Sequence, residues 1–64
     1  MPRIDVHCNA GRTLDQKRQL VKGITDAVVS SFNVRPDQVT VVIHEQAPEN
    51  RAKGGILGID AASQ

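Results

Sequence analysis

The sequence contains no tryptophan and no tyrosine, and its single phenylalanine is Phe32. Nucleic-acid binding usually draws on stacking aromatics or on a basic patch. The net charge of +1, with both signs mixed along the chain, supplies neither. Cys8 is the one cysteine, so no disulfide can form within the chain. His7, Cys8 and His44 do not have the spacing of a zinc site, which removes a structural metal as a source of stability. No apolar run approaches the roughly 20 residues that cross a bilayer, and no secretory signal opens the sequence. Neither a nucleic acid nor a membrane is expected as a partner, and the free thiol fits a reducing, cytoplasmic setting.

What remains is a chain of 64 residues, 39% apolar, read as one domain over residues 1–64. A domain of this size buries only about 60% of the surface its unfolded chain exposes. With disulfides and metals set aside, association with other subunits is the expected source of the missing stability.

Residues 3–8 alternate apolar and polar, so Ile4, Val6 and Cys8 share one face of a strand. After the break at Asn9-Ala10-Gly11, Thr13-Leu14-Asp15-Gln16 has the form of a capping box. Leu20, Val21, Ile24, Ala27, Val28 and Phe32 then recur every three or four residues, which predicts a helix from Leu14 to about Phe32. Pro36 disfavours helical geometry at Arg35 and ends it. Val39 to His44 is rich in β-branched residues and reads as a second strand. Residues 45–53 read as a loop, Gly54-Gly55 as a turn, and residues 56–59 as a short final strand. The expected fold is therefore α/β: a small β-α-β subunit with parallel strands and a C-terminal turn or hairpin. One helix covers one sheet face. The other face is expected to present Ile, Val and Leu side chains for burial by other subunits, as an obligate oligomer.

Pro2 draws attention as chemistry. Removal of Met1 is common when the second residue is small, and it leaves a free secondary amine at the chain end. α-Amino groups titrate near pH 8, and a neighbouring cation or partial desolvation lowers that value, giving a neutral base at pH 7. The context is equally specific. Met1-Pro2 runs straight into an alternating strand, followed by Gly11-Arg12-Thr13, Asp15-Gln16-Lys17, the helix, a Val-Val-Ile strand with Glu45, and Gly54-Gly55.

Taken together, these features resemble the 4-oxalocrotonate tautomerase family over nearly the whole chain. The resemblance implies a cofactor-independent isomerase that assembles as a hexamer, taken here as a homo-oligomer. It implies that Pro2 moves a proton between carbon and oxygen of a small enol or keto acid. Arg12 matches an arginine that binds a substrate carboxylate in that family. Two positions depart from the pattern. Thr40 stands where the family has a second arginine, and Arg51 stands where it has an aromatic residue. Arg51 can return positive charge from another direction, favouring the neutral amine and binding substrate. The expected site is thus Pro2 as catalytic base, with Arg12 and Arg51 binding substrate.

The remaining polar residues read more plainly. Arg3 and Lys53 read as surface charges, Cys8 as core, and His7 and His44 as strand residues. Two alternatives stay open. Relatives of the family dehalogenate or hydrate 3-haloacrylates, which would require Glu45 or Glu49 to activate water. The chain could also be an oligomeric homologue without activity.

Overall fold

The computed structural model describes residues 1–61; residues 62–64 of the expected domain lie outside them. Strand β1 spans Arg3–Asn9 and strand β2 spans Thr40–Gln46. They pair in parallel, in register from Arg3 opposite Thr40 to Asn9 opposite Gln46. Parallel neighbours need a long crossover, and helix α1, Leu14–Phe32, supplies it. Both ends of α1 are built as the sequence predicts. The Thr13 backbone N–H donates to Gln16 Oε1 at 2.9 Å, and the Gln16 N–H donates to Thr13 Oγ1 at 3.1 Å. Asn33 adopts the left-handed conformation, with φ 56° and ψ 49°, and its N–H closes the helix on the Val29 carbonyl. Pro36–Gln38 forms a 3-10 turn into β2.

The strands run slightly further than expected, β1 to Asn9 and β2 to Gln46. A second 3-10 turn, Pro48–Asn50, leads into a hairpin of β3, Ala52–Lys53, and β4, Ile56–Leu57. Gly54 and Gly55 both have positive φ, 61° and 81°, as a two-residue hairpin turn with the right twist demands. The final strand is shorter than the sequence suggests. Gly58–Ala61 coils into a single helical turn, α2. The reason is the lack of a pairing partner. The segment opposite it is the Pro48–Asn50 turn, which has already curled out of extended geometry.

Ile4, Val6 and Cys8 face α1 with Val41 and Ile43, and all five are half-buried. The opposite face corrects the expectation of an apolar surface. It carries Arg3, Asp5, His7 and Asn9 on β1, and Thr40, Val42, His44 and Gln46 on β2. Only Val42 there is apolar. The unbroken apolar run of β2 suggested a greasy outer face, but the strict alternation of β1 makes that face polar. Exposed apolar surface lies instead on the helix and the tail. Phe32 is 65% exposed, Leu14 62% and Ile59 54%.

None of the described residues is fully buried. The accessible surface is 4996 Å², against about 4000 Å² for a compact folded chain of this mass. The radius of gyration is 15.4 Å, against roughly 11 Å for a compact domain of this length. The subunit is a plate of 47 × 23 × 14 Å, too open to bury its own apolar atoms. We expect sedimentation at micromolar concentration to show an oligomer; a stable folded monomer would contradict this reading. Thr13→Ala removes one half of the helix cap. It should destabilise the protein by about 1 kcal/mol, read as a shifted denaturation midpoint at fixed protein concentration.

Candidate active site

Pro2 precedes β1, and its carbonyl accepts a hydrogen bond from the Thr40 backbone N–H at 3.1 Å. The chain start is therefore anchored to the sheet, and Pro2 is half-buried. The seven residues of β1 then run away from it. At about 3.3 Å per residue they set Pro2 and the far end of the strand roughly 23 Å apart. Arg12 follows that far end. Because β2 is parallel, it exits at the same end, where the Ala10 N–H donates to the Gln46 carbonyl at 3.0 Å. The segment carrying Arg51 therefore leaves from the Arg12 end of the sheet. One subunit thus splits the sequence-predicted residues: Arg12 and Arg51 belong to one end and Pro2 to the other.

Arg12 borders a cavity of about 230 Å³ between α1 and the sheet. Val6, Cys8, Leu20 and Ile43 form its apolar wall, and Lys17 stands beside Arg12 at its polar rim. Cys8, expected in the core, is half-buried in this wall. Lys17 Nζ and Glu45 Oε1 are 2.6 Å apart, a pairing 28 residues apart in sequence that ties α1 to β2. Nothing in the sequence pattern pointed to that bridge, because it depends on how the helix crosses the strands.

The charges sort themselves. Of eight Lys and Arg side chains, five hold a carboxylate: Arg3, Lys17, Arg18, Lys22 and Arg35. Arg12, Arg51 and Lys53 hold none among the described residues. All three follow the exit end of the sheet, where Glu49 and Asp60 also lie, so that end carries both signs with the cations in excess by one.

His7 and His44 stack on the sheet face away from the cavity, with ring centroids 4.6 Å apart and planes 12° from parallel. His44 Nε2 lies 2.8 Å from Asp5 Oδ1. This hydrogen bond, then that from Arg3, holds the Asp5 carboxyl below its ordinary value of 3.8. Glu49 is exposed in the Pro48–Asn50 turn. No cluster of His, Cys, Asp or Glu among the described residues could hold a metal ion. No helix among them is long and apolar enough to cross a membrane.

The chain is thus a β-α-β plate with a C-terminal hairpin, with Pro2 at one end of the sheet and two arginines that hold no carboxylate among the described residues leaving from the other. Residues 2–57 match the tautomerase enzyme family, and the chain belongs to that family. It is 34% identical over 55 residues to the 2-hydroxymuconate tautomerase of Bacillus subtilis, covering 86% of this chain and 89% of that one. Its structure is similar to a 4-oxalocrotonate tautomerase isozyme of Methylibium petroleiphilum, with a TM-score of 0.86, 39% identity and 97% of each chain covered. It is also similar to a chain of a heterohexameric 4-oxalocrotonate tautomerase of Chloroflexus aurantiacus, with a TM-score of 0.81, 27% identity, and 94% and 97% of the two chains covered. The protein is a tautomerase, an isomerase by class.

The Asp5 contacts carry a pH prediction. A depressed carboxyl contributes stability that is present above its unfolded value and lost as pH falls through its folded one. The Asp5–His44–Arg3 cluster should therefore support the fold above about pH 4 and cease to do so below. Asp5→Asn should flatten that part of the acid limb in denaturant titrations at fixed protein concentration. An unchanged acid limb would show that the cluster contributes nothing.

Proposed function

We propose that Pro2, freed by removal of Met1, is the general base and acid of an enol–keto tautomerisation of a small 2-oxo acid. Arg12 and Arg51 of a neighbouring copy bind the substrate. Net, an enol O–H is lost and a C–H bond is formed, with no redox change and no added water. The proline nitrogen receives the proton from oxygen and returns one to carbon. Met1 is almost fully exposed, so the amide that precedes Pro2 is open to a processing peptidase.

The observation that carries this reading is the split between the two ends of the parallel sheet. A second copy lying antiparallel to the first brings its Arg12 and Arg51 to the first copy's Pro2. The same approach supplies burial that the open plate lacks, and a homohexamer is the assembly we propose. Cations beside the amine favour its neutral form by charge repulsion, so the residues that bind the acid also prepare the base. The hydratase alternative has less support at Glu45, which is already committed to Lys17.

The direct test is a tautomerase assay on Met1-processed protein with phenylenolpyruvate and 2-hydroxymuconate, beside hydrolysis of 3-chloroacrylate. Enol turnover that is indifferent to a blocked N-terminus would exclude Pro2 as the base. A charge-assisted hydrogen bond is worth about 1.5–3 kcal/mol, so Arg12→Ala should raise KM by about tenfold to a hundredfold. A second measurement tests the shared site. Protein blocked at Pro2 and protein carrying Arg12→Ala are each expected to be poor catalysts. Unfolded together in equal amounts and refolded, they should recover roughly a quarter of the sites by chance assortment. Absence of any recovery would mean that both residues serve the same subunit's site.

A further inference from the structure

The hairpin that follows Arg51 closes back on it. Ala52 pairs with Leu57 and Lys53 with Ile56, and one step outward the Gly58 N–H donates to the Arg51 carbonyl at 2.8 Å. The Arg51 side chain then folds over Gly58. A Cβ placed on Gly58 would meet Nη1 at 2.8 Å, Cζ at 2.9 Å and Nη2 at 3.1 Å. Three guanidinium atoms at nearly one distance from one point mean that the planar group lies face-on over the glycine. No other glycine of the chain has a neighbour this close. Gly11, Gly54 and Gly55 have the positive φ that favours glycine, but Gly58 does not. Gly58 also opens a helical turn, where glycine is a poor choice by propensity. Neither backbone conformation nor helix formation calls for glycine here, whereas a Cβ would crowd the guanidinium.

We infer that Gly58 is a positioning residue for Arg51. By leaving its Cβ position empty it seats the guanidinium flat and fixes the direction of its N–H groups toward an incoming substrate carboxylate. A guanidinium recognises a carboxylate through a rigid planar fork, so an orientation fixed before binding favours the two-pronged contact. Gly58 would thereby help select an acid with its carboxylate in the plane of that fork. The inference rests on the proposed role of Arg51 in substrate binding.

A double-mutant cycle separates the two claims. Gly58→Ala adds one methyl group against the far end of a flexible side chain, so the fold and the oligomer should survive. Alanine also favours the helical turn that begins there. In processed protein, Arg51→Ala should lower kcat/KM for the enol acid by roughly tenfold or more, the loss of one charge-assisted contact. Gly58→Ala alone should reproduce most of that loss and shift the Arg51 Nε–H resonance in the substrate-free protein. Added to Arg51→Ala, Gly58→Ala should change kcat/KM by less than about twofold, because the group it displaces is already gone. If Arg51→Ala costs activity while Gly58→Ala alone leaves kcat/KM and the Nε–H resonance unchanged, the positioning role is overturned and the Arg51 role stands. Additive losses overturn it too, since Gly58 would then act through something other than Arg51. If Arg51→Ala is silent, both claims fall.

Discussion

The parallel pairing of β1 and β2 is the constraint from which the rest of the molecule follows. Parallel strands start at one end and finish at the other. The Thr40 N–H therefore meets the Pro2 carbonyl at the starting end, while the segments carrying Arg12 and Arg51 both leave from the finishing end. An antiparallel hairpin of the same residues would have returned the Arg51 segment to the Pro2 end and left Arg12 alone at the other. The parallel arrangement instead sets Pro2 at one end and the segments of both arginines at the other, so that in the proposed site each chain supplies two halves. The same two-stranded sheet with one helix is too small to enclose a core, and none of the described residues is fully buried. Stability and the proposed site thus call on the same remedy, a neighbouring copy.

Most of the fold was legible where local chemistry decides structure. The Thr13–Gln16 capping box, the three-and-four spacing of the helix stripe and the break before Pro36 set α1 at the predicted residues. The alternation of β1 and the Gly54-Gly55 turn were equally plain. Legibility failed where the outcome depends on which element lies opposite. The Val-rich run of β2 could not show that its outer face pairs with the polar side of β1. Residues 58–61 look like strand until the Pro48–Asn50 turn removes their partner. The Lys17–Glu45 bridge joins residues that no sequence window holds together. In the candidate site, Pro2, Arg12 and Arg51 could be named from the sequence. That one chain holds them at two ends, and that Gly58 lies beneath Arg51, could not.

The ion pairs decide which basic side chains stay available at the exit end of the sheet in a chain whose net charge is only +1. Four of the five Lys and Arg pairs are local, formed between residues two to four apart. Exposed pairs of that kind contribute little to stability, on the order of 0–1 kcal/mol each. Their effect is on the field. Arg3, Arg18, Lys22 and Arg35 are each neutralised by a nearby carboxylate, and Lys17 is neutralised by Glu45 across the fold. That leaves Arg12, Arg51 and Lys53 without a carboxylate among the described residues, with Glu49 and Asp60 in the same stretch of chain as Arg51 and Lys53.

Using a guanidinium where the family has an aromatic ring changes how an N-terminal amine can be tuned. An apolar ring lowers the amine pKa by desolvation, whether or not substrate is present. A nearby cation does so by repulsion, and repulsion can be cancelled. In the proposed site the substrate carboxylate settles on the same guanidinium that faces the amine. In the free enzyme the positive charge keeps the amine neutral and ready. Once the acid binds, its charge offsets the guanidinium, and the amine becomes a stronger base at the moment it must take a proton. Substrate binding and base strength are then one coupled equilibrium, and the size of such coupling depends on where the guanidinium is held. Seating Arg51 against Gly58 sets that place from within the chain that carries the arginine, independently of the subunit that carries the proline.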